Sequence, residues 1–151
     1  MSFDVINTKL KSVLDGVTKL QQVYEYPTEK FDGFPSATIT PSENSADFET
    51  NKENERNYAF IIRLFQDIPN SNVSGEKPLP FAFRVLRLLV DDTLDKFDKD
   101  ETLSGISMPT GYTMLNLTAT PSSWGAIVAL DKKIILAEII ITAKVSFDTK
   151  S

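Results

Sequence analysis

The sequence predicts an α+β fold, with two α-helices packed on one face of a largely antiparallel β-sheet. Two amphipathic segments and several runs of alternating apolar and polar residues support this prediction. The segments follow one another in the order α-β-β-β-α-β-β-β, and no internal repeat is visible. Because 151 residues suit one hydrophobic core, we expect a single domain spanning residues 1–151.

The spacing of apolar residues defines the two predicted helices. The first helix is expected over residues 2–15, and Gly16 ends it. One face of this helix carries Ile6, Leu10, Val13 and Leu14. The second helix is expected from about Phe81 to Phe97. Its predicted buried stripe consists of Ala82, Leu86, Leu89, Val90, Thr93 and Phe97.

Alternating patterns and turn residues define the predicted strands. The first five are expected at residues 23–26, 34–40, 57–66, 113–120 and 127–130. A Pro-Ser-Ser-Trp-Gly corner separates the last two of these. The clearest strand is Ile134–Phe147, whose odd-numbered residues are all apolar. Since it is more than twice as long as a typical strand, we expect it to lie centrally and to extend beyond its partners.

A long polar arm, about residues 42–56, extends between the second and third predicted strands. Long connections in small domains are more often functional than idle. The arm is acidic and holds one aromatic residue, so Phe48 and Glu49 are interpreted as candidate contacts with another chain; a mobile loop is the alternative. Trp124, the only tryptophan, is a third candidate because aromatic residues are enriched at interfaces. Alternatively, Trp124 fills the end of the core at the predicted corner.

The composition disfavours most catalytic chemistry. Histidine and cysteine are absent, which removes the commonest general base, thiolate nucleophiles and zinc sites built on these residues. The segment Ser104–Pro109 contains Gly-x-Ser but cannot belong to a Ser-His-Asp triad. The acidic run at Asp98–Glu101 is not followed by the glycine and glutamate of a calcium loop. We therefore predict a protein that is not an enzyme and uses no cofactor or metal; paired carboxylates are the open catalytic alternative.

Charge and hydropathy also bear on the partners. The net charge of −5 repels phosphate, and the 16 basic residues are scattered along the chain. Residues Arg56–Arg63 partly match an RNA-recognition strand, but Asn57 replaces its glycine, so sequence-specific nucleic-acid binding is not expected. The chain start lacks the features of a signal peptide, and no apolar run approaches about 20 residues. We expect no membrane contact and synthesis in the cytoplasm.

Four segments, taken in their order along the chain, carry a resemblance to a known protein family. They are VYEYP…FDGFPSATIT from Val23, NERNYAF from Asn54, DKFD…LSG from Asp95 and LAEIIITAKV from Leu136. In this order, and at this chain length, they resemble the tail terminator proteins of long-tailed bacteriophages. The four segments span most of the chain, and none of them is a catalytic signature.

The resemblance implies a structural protein of the virion that forms a hexameric ring on the tail tube. Such a ring stops polymerisation of the tail tube protein and binds the head-completion or connector protein. It leaves a hole through which DNA passes without being bound. The ring lies at the head-proximal end of the tail, after assembly in the host cytoplasm. A head–tail joining or tail-completion neck protein is the alternative, followed by a small binding domain from outside phages.

Overall fold

The computed structural model describes residues 2–28, 30–42, 55–100, 102–129 and 132–147. The elements within them are α1 (Ser2–Asp15), β1 (Gln22–Tyr24), β2 (Ser36–Pro41), β3 (Glu55–Asp67), α2 (Pro78–Asp98), β4 (Tyr112–Ala129) and β5 (Lys132–Phe147). The predicted α+β fold is confirmed.

The five strands form one mixed sheet in the order β1-β2-β3-β5-β4. β1 runs parallel to β2, whereas the other neighbouring pairs are antiparallel. β3 and β5 pair over the whole length of β3, from Glu55 opposite Ser146 to Asp67 opposite Ile134. The described sheet therefore has a short edge strand, β1, on one side and a long edge strand, β4, on the other.

Both helices pack on the same face of the sheet and enclose one core. The stripe predicted for α2 is buried at all six positions. The middle of the sheet contributes Phe60 and Ile62 from β3, together with Ile139 and Ile141 from β5. The Phe60 ring is fully buried and meets the edge of the Phe3 ring of α1, with centroids 5.5 Å apart. α1 lies mainly over β1 and β2, while α2 lies over β3, β5 and β4.

Most element boundaries match the sequence predictions. α1 has the predicted bounds, and the strands other than β4 begin and end within two residues of the predicted positions. α2 begins earlier than predicted, at Pro78 instead of Phe81. A proline suits the first turn of a helix, because the N–H that it lacks would have no partner within the helix there.

Three expectations about the strands and the arm need comment. β4 is one strand of 18 residues, so the predicted corner at residues 121–125 is wrong. β5 lies inside the sheet as expected, and it extends beyond β3, which pairs only with residues 134–146, but it does not extend beyond β4, whose 18 residues exceed its 16. The predicted arm falls mainly on residues 43–54, which lie outside the described residues, and its last two residues, Glu55 and Arg56, belong to β3.

Candidate assembly surface

The outer edge of β4 faces no other strand in the described part of the sheet. A strand at the edge of a sheet presents a row of N–H and C=O groups that another strand can pair with. β4 has 18 residues, about three times the usual strand length. It is therefore the largest backbone surface that the described sheet offers to a partner.

The distal segment of β4, defined as Pro121–Ala129, lies beyond the part of the sheet that the two helices pack on. Every side chain described in it, from residue 121 to residue 127, is exposed. Trp124 is 46% exposed and Ile127 is 39% exposed. Ala137, which pairs with Trp124 across the β4–β5 ladder, is by contrast buried. At the level of the distal segment the core thus ends at β5, although Met114 and Leu117 nearer the start of β4 belong to it, and the distal segment offers partly exposed apolar side chains to a partner.

β4 contains no charged residue, although a quarter of the whole chain is charged. Monomeric proteins commonly protect their edge strands with charges, particularly lysine, or with prolines and bulges. β4 has one proline, Pro121, and two bulges, but it carries no charge that would repel an approaching strand. An uncharged, partly apolar edge of this length is typical of a strand that pairs with another chain.

A polar network fixes the second bulge of β4 to the middle of the sheet. The bulge lies between Pro121 and Trp124, where two residues of β4 oppose Glu138 of β5. Ser123 donates a hydrogen bond of 2.5 Å from its Oγ to Oε1 of Glu138. Arg63 of β3 donates from Nε to the other oxygen, Oε2, at 2.6 Å. This network holds residues 121–123 in the strand and so sets the position of Trp124 on the edge of the sheet.

The same network perturbs one carboxyl group. The hydrogen bond from Ser123 lowers the pKa of Glu138 below its usual value, partial burial opposes this shift, and the Arg63 guanidinium adds to it. A carboxylate poised for general acid catalysis would instead have a raised pKa. Glu138 is therefore suited to holding the bulge as an anion.

Lowering the pH should reduce the stability of the fold, because it protonates the Glu138 carboxylate. Because its pKa is lowered by folding, the carboxylate stabilises the native state above the usual glutamate pKa, and this contribution is lost as the pH falls through the folded-state value. We expect Glu138→Gln to lower the free energy of unfolding by about 1–2 kcal/mol at pH 7. The difference from wild type should shrink at pH 3. Urea unfolding of both proteins at the two pH values measures it.

The control for this prediction is Glu76→Gln, which removes an ion pair to Arg84 on the surface. Such pairs contribute little, so the expected loss is below about 1 kcal/mol. A Glu138→Gln effect of the same size at pH 7 and pH 3 would show that the carboxylate charge is not the stabilising feature.

Two surface clefts lie next to α1. One, of about 390 Å³, lies between α1 and α2 and is lined by Gly16, Val17, Thr18, Asp92, Asp95, Lys96 and Lys99. At its side Lys19 pairs with Asp92 at 3.0 Å, and both side chains are 45% exposed. The other, of about 500 Å³, lies between α1 and the loop at residues 105–107. Both are open and hold charges that are solvated, which is not the arrangement of a buried catalytic carboxylate pair.

The described residues contain no cluster of three or more side chains that could hold a metal ion.

The structure places one of the three predicted contact residues on this surface. Trp124 is an exposed residue of β4 and does not fill the end of the core, so that alternative is wrong. Phe48 and Glu49 lie outside the described residues. Sequence reasoning missed the Ser123–Glu138–Arg63 network and the continuous edge. The absence of charge from residue 112 to residue 129 was the signal that could have revealed the edge.

Searches against protein-family models and against curated proteins found no match. In the described part of the chain, neither helix is both long and apolar enough to span a membrane. The geometry of the chain is therefore the basis for assigning a function.

Proposed function

We propose that this protein is a structural component of a long-tailed phage, a tail terminator whose copies form a hexameric ring on the tail tube. The ring stops addition of further tail tube protein and provides the surface to which the head-completion or connector protein binds. The observation that carries the proposal is the uncharged edge of β4, which pairs with no strand on its outer side among the described residues and exposes Trp124 and Ile127. Such an edge suits a chain that functions through contacts with other chains.

Charge supports the same proposal. The net charge of −5 favours a ring whose central hole lets DNA pass without holding it, because the overall field repels phosphate. A ring also needs heterologous contacts, in which two different surfaces of each copy meet. A mixed sheet with two unlike edges can provide two such surfaces.

The first test is the native mass of the purified protein at high concentration, combined with electron microscopy of the same sample. One chain has a mass of 16.9 kDa, so a hexamer has a mass of 6 × 16.9 = 101.4 kDa. We expect this mass and closed rings with an open centre. A strict monomer that also fails to cap growing tail tubes would contradict the proposal.

The position within the particle separates the tail terminator from a head–tail joining protein. A terminator should stop polymerisation of purified tail tube protein at a fixed end, whereas a joining protein should bind head connectors and leave tube growth unchanged. Tube lengths measured by electron microscopy, with and without this protein, distinguish the two functions.

A further inference from the structure

The short edge strand β1 and the distal segment of β4 lie at the same height along the strand direction, on opposite edges of the sheet. One row of paired residues crosses all five strands and consists of Val23, Ala37, Leu64, Ala137 and Trp124. The next row runs from Gln22 at the β1 edge to Gly125 at the β4 edge. β1 is only three residues long, and it stands directly across the sheet from the exposed distal segment of β4.

The strand directions fix how two copies would meet. β1 is parallel to β2, and three antiparallel pairings follow from β2 to β4, so β4 runs opposite to β1. If a second copy is placed beside the first in the same orientation, its β1 meets β4 of the first as an antiparallel neighbour. Antiparallel pairing is slightly more stable per residue than parallel pairing. Because the edges are level, this placement brings the distal segment against β1 without a shift along the strands.

The two edges also match in charge and polarity. β1, like β4, contains no charged residue, although each copy carries a net charge of −5. Tyr26, two residues beyond β1, is 62% exposed, so the β1 edge also presents an aromatic surface. Trp124 on the opposite edge is 46% exposed. Two uncharged edges with exposed aromatic residues can approach where other surfaces of two acidic copies repel each other.

We propose that the distal segment of β4 pairs with β1 of a second copy of this chain, antiparallel and head to tail. The pairing makes one continuous sheet across the boundary between copies, and β1 limits it to about three backbone hydrogen bonds. Contact of Trp124 with Val23 of the second copy, which lies in the same row and on the same face of the sheet, therefore supplies much of the affinity. The contact is heterologous, so it propagates from copy to copy and closes when the rotation between copies permits. The inference rests on the proposed function for the ring, and it names the surfaces that build it.

Engineered cysteines test the pairing cleanly, because the chain has none of its own. The variant Gln22→Cys/Gly125→Cys places one thiol on each edge, on the face opposite the helices. Both positions tolerate it: Gln22 is exposed, and a Cβ at Gly125 would make only an ordinary contact of 3.9 Å with Leu136. A short thiol-specific crosslinker should join copies into a ladder that extends beyond the dimer, because every copy carries both thiols.

The matched control is Gln22→Cys/Thr118→Cys. Thr118 is also exposed, on the same strand and the same face, but lies roughly 20 Å from Gly125 along β4. We expect at least ten times less crosslinking from this variant. Equal crosslinking at residues 118 and 125, or no ladder from the Gly125 variant, would overturn the proposed pairing. A covalent dimer formed by Gly125→Cys alone would also overturn it, since that product requires β4 to pair with β4.

The crosslinking result and the shape of the assemblies test the pairing and the proposed function separately. Closed rings without crosslinks between residues 22 and 125 would overturn the pairing and leave the ring-forming function in place. Crosslinked ladders that form open filaments and never closed rings would support the pairing and contradict the function. Circular dichroism of each cysteine variant confirms that the fold is retained.

Discussion

Replacing Phe60 by alanine should lower the free energy of unfolding by about 3–5 kcal/mol. Phe60 is fully buried in the middle of β3 and packs against α1 through Phe3, so its removal leaves a cavity between the sheet and that helix. Domains of this size are stable by about 5–15 kcal/mol, so the loss is a large part of the total. Urea unfolding followed by far-ultraviolet circular dichroism, at a concentration where the chain is monomeric, measures it.

The neighbouring residue provides the control for this prediction. Ile61 lies on the same strand but points to the opposite face, where it pairs with the partly exposed Ile140. We expect Ile61→Ala to cost about 1 kcal/mol, because less of its surface is buried. Equal losses at the two positions would mean that the helices do not cover the face of β3 that carries Phe60.

Replacing Trp124 by lysine should weaken self-association by roughly 30- to 1,000-fold, the range seen for aromatic residues at the centre of interfaces. The substitution removes the largest apolar side chain of the distal segment and places a charge on an edge that has none. Lysines on edge strands oppose pairing with other strands. Sedimentation velocity over a range of protein concentrations measures the change.

The fold should tolerate this substitution, since Trp124 is exposed and lies outside the core. Thr118→Lys is the matched control, because it places the same charge on the proximal part of β4. We expect it to weaken association by less than about tenfold. If both lysines weaken association equally, the whole edge of β4 takes part and the distal segment is not special.

The helices were predictable because their apolar spacing is unambiguous. α1 has the predicted bounds, and the six residues predicted for the buried stripe of α2 are its buried residues. A helix face is set by residues three and four positions apart, so local sequence carries the whole pattern. The long apolar alternation of β5 was predictable for the same reason.

β4 was not predictable in the same way because its two bulges reverse the alternation twice. The residues on the helix-bearing face of the sheet are Met114 before the first bulge, Leu117 and Ala119 between the bulges, and Trp124 after the second. Each bulge inserts one residue, so the period of two breaks at that point. The pattern around residues 121–125 then looks like a corner. What keeps it a strand is Glu138, a residue distant in sequence that accepts from Ser123.

The candidate site was only partly predictable. Trp124 was identified as a candidate contact because it is a lone tryptophan in polar surroundings, but the reason for its exposure is that the core includes the proximal part of β4 and not the distal segment. The level alignment of β1 with the distal segment depends on four successive pairings across the sheet. No local pattern in the sequence specifies such an alignment.

The position of the single tryptophan has an optical consequence. Trp124 lies on the exposed edge, and the core contains none, so its fluorescence emission reports on the environment of that edge rather than on the core. Pairing with another chain should shift the emission to shorter wavelength as water leaves the indole ring. Unfolding of an isolated chain should shift it in the opposite direction, to longer wavelength, because the covered half of the ring then meets water. One unlabelled protein thus offers separate signals for assembly and for folding, the first from tryptophan and the second from backbone circular dichroism.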